Sequence, residues 1–517
     1  MRRTNCHTVA LACVLTLGAG RIVLAQQVAD ANPAPPASTA SLPPGTQAAL
    51  NLPDMGSGAN ALITRNEEYQ VGRMMVRNLR AENQVLEDPE ATEYIQGIGA
   101  RIAAQAQDGN QSFSFFIVRD RDVNAFALPG GFIGMNAGLL MLTTNESELA
   151  GVMAHEIGHV VQRHIARAIH AQSRNSLPMM AAMLGAILIG VAAGSPDAAI
   201  GGVSMAQGAA MQQQINFTRM EESEADRLGI GYLAAADFDP AGMAAFFGAM
   251  SRVQGISLNP IPDLLRSHPV NTLRIAEARA RAAQLPPRAP GKQDSVGYAL
   301  IRERVRVLSA DTDADMRPYY QRLRANGDSL ALRYGAALAD LKAGDAAAAV
   351  AALQPMVNDN PEVTILHTAL GEAQMTANQP DEALATFERA IKLFPRNVPV
   401  TVRYAEALMR AGQPAKAHQL LLDLFNNTQP TPAQIRLTAL AASSAGESGD
   451  AYYYMAEYHL SSGDLMLATQ QLDLALTDPH LTDVQRKRYF ARREEIRDVL
   501  REERRQRGGL GTVGNGR

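Results

Sequence analysis

His155-Glu156-Ile157-Gly158-His159 sets two imidazoles and a carboxylate within little more than one helical turn. At about 100° per residue, His155 and His159 stand roughly 40° apart on one helix face, so both rings can reach one ion. Neutral imidazole is a good zinc ligand, and two rings one turn apart supply half of a tetrahedral site. Glu156 lies beside such an ion rather than on it, where it can take a proton from a water that the ion polarises. The surrounding helix is apolar, with Leu149, Val152, Met153, Ile157, Val160 and Val161. Two histidines buried there without a partner would only cost stability.

The third ligand sets the class of site. On a continuous helix His164 projects about 180° from His155. A third histidine spaced six residues after His159 would fall on position 165, which is Ile165, with Gln162 where that pattern needs glycine. Downstream, Arg219 to Asp226 reads Arg-Met-Glu-Glu-Ser-Glu-Ala-Asp. Glu222 and Asp226 are four apart and share a helix face, so Glu222 can bind the ion while Asp226 accepts a hydrogen bond from a ligand histidine. Glu221 and Glu224 compete for the ligand role, their other use being a solvated helix face.

Several elements must position these groups. Amphipathic helical patterns run from Glu67 to about Asn83 and from Pro89 to about Ala106. Phe113 to Val118, Val123 to Leu128 and Phe132 to Met135 alternate as short strands, with Pro129-Gly130-Gly131 turning the last two. Asn145 is an N-cap with Glu148 at the capping-box position, and the helix it starts is expected to reach about Gln172. A Gly/Ala/Met-rich stretch fills 177–211, and another helix is expected from Phe217 to about Ala235. The stretch 177–211 is too interrupted by Pro178, Gly185, Gly190 and Pro196 for a span; it is expected to cover the cleft or touch a bilayer peripherally.

Pro361 and Pro395 lie 34 residues apart, and Ala349, Ala383 and Ala417 keep the same spacing. A 34-residue helix–turn–helix with small residues where helices touch is the tetratricopeptide pattern. A fourth copy around Gly463 and Ala468 is offset by 51 residues from the third, which predicts irregular chain between them.

The composition is that of a globular protein, with 46% hydrophobic and 19% charged residues. Arg2 and Arg3, the apolar run Val9 to Leu17 and Val23-Leu24-Ala25 read as a secretory leader cut after Ala25. Its removal would take Arg2, Arg3 and Arg21, leaving 45 basic groups against 52 acidic ones, which points away from nucleic acid. It would also take both cysteines, Cys6 and Cys13, which excludes a disulfide framework, a thiolate metal site and a cysteine nucleophile.

The His155–His159 segment, the Arg219 to Gly229 segment and Asn124-Ala125-Phe126-Ala127-Leu128-Pro129-Gly130-Gly131 together resemble the HtpX and CAAX-prenyl-protease family of zincins. The resemblance implies one Zn2+ per chain on His155, His159 and Glu222, with Glu156 as general base and acid. It draws in His268, within Arg266-Ser267-His268-Pro269, as a group that either stabilises the oxyanion or caps the zinc. The strand bearing Asn124, Ala125 and Phe126 would hold an extended substrate by strand addition.

The expected fold is α+β and mostly α, a zincin-like metallopeptidase domain with a small sheet followed by an all-α tetratricopeptide superhelix. The expected divisions are a leader at 1–25, a disordered segment at 26–60, the peptidase domain at 61–285, a linker at 286–327, repeats at 328–505 and a tail at 506–517. With the leader and repeats, the resemblance implies a zinc endopeptidase of a Gram-negative periplasm, peripheral to the outer membrane. Its substrates would be unfolded or misassembled proteins, above all stalled outer-membrane proteins, and its repeats would engage the outer-membrane assembly machinery. The alternatives are a repeat scaffold or chaperone with latent proteolysis, and an integral-membrane peptidase.

Overall fold

The computed structural model describes residues 64–106, 111–168, 219–256, 264, 268–286, 295–311 and 314–509. The expected leader at 1–25, the segment 26–60, the stretch 177–211, residues 287–294 of the expected linker and the tail from 510 lie outside the described residues.

Helix α1, Arg65–Ala81, opens on a capping box in which Thr64 and Glu67 accept each other's backbone N–H. Helix α2, Pro89–Ala103, starts at Asp88, whose carboxylate accepts the Ala91 N–H, with Pro89 in the first turn where no N–H is needed. Strands β1 (Ser114–Val118), β2 (Ala125–Leu128) and β3 (Phe132–Asn136) form one sheet in the order β1-β3-β2. β3 runs parallel to β1 and antiparallel to β2, which leaves β2 at an edge. Helix α3, Ala137–Leu142, follows β3 directly.

Helix α4, Glu146–Val161, is capped by Asn145, which accepts the Glu148 N–H at 2.9 Å. The Glu148 carboxylate reaches past Asn145 to the N–H and hydroxyl of Thr144, at 2.7 and 2.9 Å, so the reciprocal bond falls one residue earlier than the sequence pattern suggests. α4 ends at Val161, where Arg163 turns into the left-handed region at φ 51°; helical chain resumes over 164–168, and the expected end near Gln172 lies outside the described residues. Helices α5 (219–235), α6 (Ala241–Ile256) and α7 (Thr272–Ala282) complete this half.

α1 lies against the turn of the β2–β3 hairpin at Gly72. A Cβ there would fall 1.9 Å from the Pro129 carbonyl oxygen and 2.7 Å from the Phe132 ring. Alanine gains about 1 kcal/mol in helix propensity, whereas overpacking against backbone costs about 1–3 kcal/mol. Gly72→Ala is therefore expected to lower stability, read as an earlier midpoint in urea with unchanged slope.

The expected linker is corrected. Val296–Leu308 and Arg317–Arg324 form helices α8 and α9, and Tyr298, Leu300, Ile301 and Val305 of α8 are buried in the core. One hydrophobic core runs from Leu86 of the sheet half through these residues to Ala373 of the repeats. An apolar face of this kind must be buried, and the Pro-rich start of the segment masked that signal.

The repeats are more regular than the sequence suggests. Their first helices, α10 (Leu330–Lys342), α12 (Thr364–Thr376), α14 (Val398–Arg410) and α16 (Pro432–Ser444), begin 34 residues apart. Their second helices, α11 (Ala346–Asp359), α13 (Pro380–Leu393), α15 (Pro414–Phe425) and α17 (Ser448–Ser461), keep the same interval. The turn between partners takes positive φ at Gly344, Asn378, Gly412 and Gly446, which glycine and asparagine tolerate best. The fourth copy thus turns at Gly446. Gly463 belongs to the next turn, where α17 meets α18 (Leu465–Ala475), so no irregular chain intervenes. α19, Asp483–Gly509, closes the array.

A buried charge cluster joins the halves. Asp88 at the head of α2 accepts from Arg304 of α8 at 2.8 Å and from Arg403 of α14 at 2.8 Å. Glu90 lies 3.2 Å from Arg304 and 3.0 Å from Arg403. At the other end, Arg73 of α1 donates to the Leu460 carbonyl at 3.1 Å, so the late repeats also touch the sheet half. Among the described residues no helix is long and apolar enough to cross a membrane.

Candidate metal centre

Helix α4 carries His155, Glu156 and His159, α5 carries Glu222, and His268 arrives from the segment before α7. Ligand atoms of His155, His159, Glu222 and His268 all lie within 4.8 Å of one another. The Nε2 atoms of His155 and His159 are 3.0 Å apart, and Glu222 Oε1 lies 3.4 Å from His159 Nε2 and 2.7 Å from His268 Nδ1. Three imidazole nitrogens and a carboxylate converging on one point fit a shared cation better than any pattern of protons.

Small residues allow the two helices to approach this closely. A Cβ on Gly158 would fall 3.0 Å from the Ala225 carbonyl oxygen, and one on Gly229 would fall 3.0 Å from the Ala154 carbonyl. Gly151 similarly admits the backbone of Met243 at the start of α6. The glycine inside the His155–His159 segment therefore sets the distance at which Glu222 meets the rings.

Asp226 Oδ1 lies 2.8 Å from His155 Nδ1, an ion-pair contact on the far side of the ring, so His155 Nε2 is left facing the cluster. Arg274 of α7 was not legible as a site residue. It grips both Asp226 oxygens at 2.8 Å, takes Glu222 Oε2 at 2.8 Å and donates to the Pro269 carbonyl at 2.9 Å. Its guanidinium also lies over the Phe247 ring at 4.7 Å. It thus ties the α5 carboxylates to the His268 segment, while Glu222 Oε1 faces His159 and His268 and Oε2 lies 3.5 Å from His155 Nε2. Only its place six residues after His268 could have marked it, because a lone arginine in a helix carries no chemical signal.

Glu156 is fully buried and neither of its oxygens has a hydrogen-bond partner among the described residues, while His268 Nε2 stands 3.8 Å from Oε1. Burial disfavours the charged form of His155, but bonds to Asp226 and Glu222 outweigh it and push the ring up to about 10. Burial holds His159 down at about 3, helped by the positive neighbours His155 and His268 against the pull of Glu222. Burial opposes the charge on Glu222 too, yet the facing histidines draw its pKa well below the ordinary carboxylate value.

The rivals to Glu222 point elsewhere. Glu221 is buried apart from the group and raised to about 7 by that burial, against the pull of Arg167 and with Glu222 and Glu224 adding to the rise. Glu224 pairs with His164 and Arg167 at 3.2 and 2.9 Å. His164 does not project away from the site, because α4 ends before it; its Nδ1 lies 2.7 Å from His159 Nδ1.

The edge strand also differs in detail. Asn124 accepts the Asn136 N–H across the sheet, so antiparallel alternation turns the backbone groups of Phe126 towards β3 and those of Ala125 and Ala127 towards the other side, where the Leu264 N–H donates to the Val123 carbonyl at 3.3 Å. A cleft there is lined by Ala127, Leu128, Pro129, His159 and Val160.

Residues 89–282 match the model of peptidase family M48, and 334–397 and 374–441 match models of the tetratricopeptide repeat. The chain is 31% identical over 461 residues to the beta-barrel assembly-enhancing protease of Escherichia coli K12, covering 88% of this chain and 93% of that one. It is 38% identical over 319 residues to a Vibrio cholerae relative, covering 60% of this chain and 64% of the relative's length. Metalloprotease LoiP of E. coli K12 is 28% identical over 238 residues, 44% of this chain and 86% of that one.

Proposed function

The chain belongs to peptidase family M48 and is a metalloprotease with tetratricopeptide repeats; from this we propose that it is a zinc endopeptidase of the periplasm that removes misassembled outer-membrane proteins and assists their assembly. The outer-membrane role rests on the relative named a beta-barrel assembly-enhancing protease. The hydrolytic role rests on one observation, the four ligand atoms gathered from three segments.

In this reading His155, His159 and Glu222 hold the ion and Asp226 fixes the His155 ring. A bound zinc supplies Lewis acidity at the scissile carbonyl. Glu156 takes a proton from the attacking water and delivers it to the leaving amine. Ala125 and Ala127 present backbone groups to an extended substrate, which gives affinity with little side-chain selectivity. His268, 3.4 Å from His155 Nε2, is placed to cap the ion at rest. The peptidase domain at 61–285 and the repeats from 328 share one core, and the repeats offer a stacked surface to partners.

Purified protein is expected to carry one zinc per chain by elemental analysis. Casein cleavage should stop with a strong chelator and return with added zinc. Protein free of metal, or cleavage indifferent to chelation, removes the proposal. Asp226→Asn should weaken zinc binding by about 10–100-fold, read by competition with a chromophoric chelator; unchanged affinity would show that His155 needs no such support.

A further inference from the structure

We propose that His164 is a positioning residue for the metal site, fixing the tautomer and ring plane of His159 and itself fixed by Glu224. The inference rests on the zinc-site reading above and extends it to residues that touch no ion.

Its first basis is the shape of the chain. α4 stops at Val161, and Arg163 takes a left-handed φ of 51°, unusual for a residue with a side chain. Such a turn persists where the surroundings hold it, and Arg163 is buried against Glu68 of α1, with Nη2 3.2 Å from the carboxylate. The turn folds His164 back beneath His159. The two rings meet edge to face with centroids 4.8 Å apart, and His164 is buried.

The second basis is hydrogen-bond logic. A neutral imidazole has one N–H and one lone pair. If His159 offers the Nε2 lone pair to an ion, its proton must sit on Nδ1, which lies 2.7 Å from His164 Nδ1. His164 must then accept at Nδ1 and carry its own proton on Nε2, which lies 3.2 Å from Glu224 Oε2. Arg167 holds the same oxygen at 2.9 Å. Each link has one arrangement that satisfies it, and that arrangement leaves His159 Nε2 as a lone pair aimed at the cluster. The two ligand histidines are therefore backed differently, His155 by a carboxylate directly and His159 by a carboxylate through a second ring.

The test is zinc affinity of the full chain, measured by chelator competition for wild type, His164→Ala, His164→Asn and Glu224→Ala, with thermal unfolding of the metal-free proteins alongside. His164→Ala should lose about 10–100-fold in affinity with little change in metal-free unfolding. His164→Asn should recover most of the loss, because its amide oxygen can accept the His159 Nδ1–H where the ring nitrogen did. Affinity within twofold of wild type in His164→Ala, or an asparagine variant as weak as the alanine one, overturns the proposal. Should His164→Ala fail to fold, Glu224→Ala decides: weaker zinc binding with unchanged metal-free unfolding supports the relay, and unchanged binding overturns it. A wild type that binds no zinc would instead sink the metal-site reading, a result visible before any variant is made.

Discussion

Glu156→Gln is expected to lower casein cleavage by about 10²–10⁴-fold, the usual worth of a general acid–base group, while zinc content and folding stay as in wild type. The expectation follows from where the carboxylate sits. It is fully buried, makes no hydrogen bond through either oxygen among the described residues, and has His268 Nε2 at 3.8 Å. A carboxylate so placed does little for stability, since a buried charge without partners is unfavourable. Glutamine keeps its shape and removes only the ability to carry a proton. The variant therefore separates chemistry from fold, which a ligand substitution cannot do. Cleavage within tenfold of wild type, with zinc bound, would assign the proton transfer to another group. Full rescue of a null strain by the variant would instead favour the scaffold reading, with proteolysis secondary.

The contrast between Glu156 and His164 shows how far the sequence reaches. Helical periodicity alone puts His155 and His159 on one face, and the four-residue step does the same for Glu222 and Asp226. These are local facts, and the structure brings the four together. His164 and Arg274 are different, because their places depend on where a helix stops and on which segment packs against it. Nothing between Val161 and His164 is a glycine or proline, so a reading by periodicity carries α4 through and sends His164 to the far side. The stop is instead imposed by tertiary contact, through the Glu68–Arg163 pair from a helix nearly a hundred residues earlier. The repeats show the same limit at larger scale. Asn378 serves where the other copies have glycine, and α17 closes one pair while packing with α18, so counting glycines alone miscounts the array.

Arg304→Met is expected to destabilise the whole chain by about 3–5 kcal/mol, the cost of breaking a buried charge cluster by removing one partner. Arg304 is 1% exposed and bonds Asp88, Glu90 and the Tyr334 hydroxyl, so its loss leaves two buried carboxylates sharing Arg403. Methionine keeps much of the volume, which confines the effect to charge rather than a cavity. The sign of the pH dependence gives an independent check. Burial alone would raise Asp88, but Arg304 and Arg403 overcome it and hold the carboxyl far below its ordinary value. In wild type its contribution is therefore complete above about pH 3.9, the unfolded value, and is lost only as pH falls towards the folded one. Without Arg304, burial regains weight and protonation of Asp88 relieves an unpaired charge, so the variant loses less stability on acidification. The gap between variant and wild type, measured by urea unfolding, should accordingly narrow as pH drops from 6 towards 3. A gap that stays constant or widens would mean that losing Arg304 does not raise the folded Asp88 carboxyl, and that the cluster acts by packing rather than by charge.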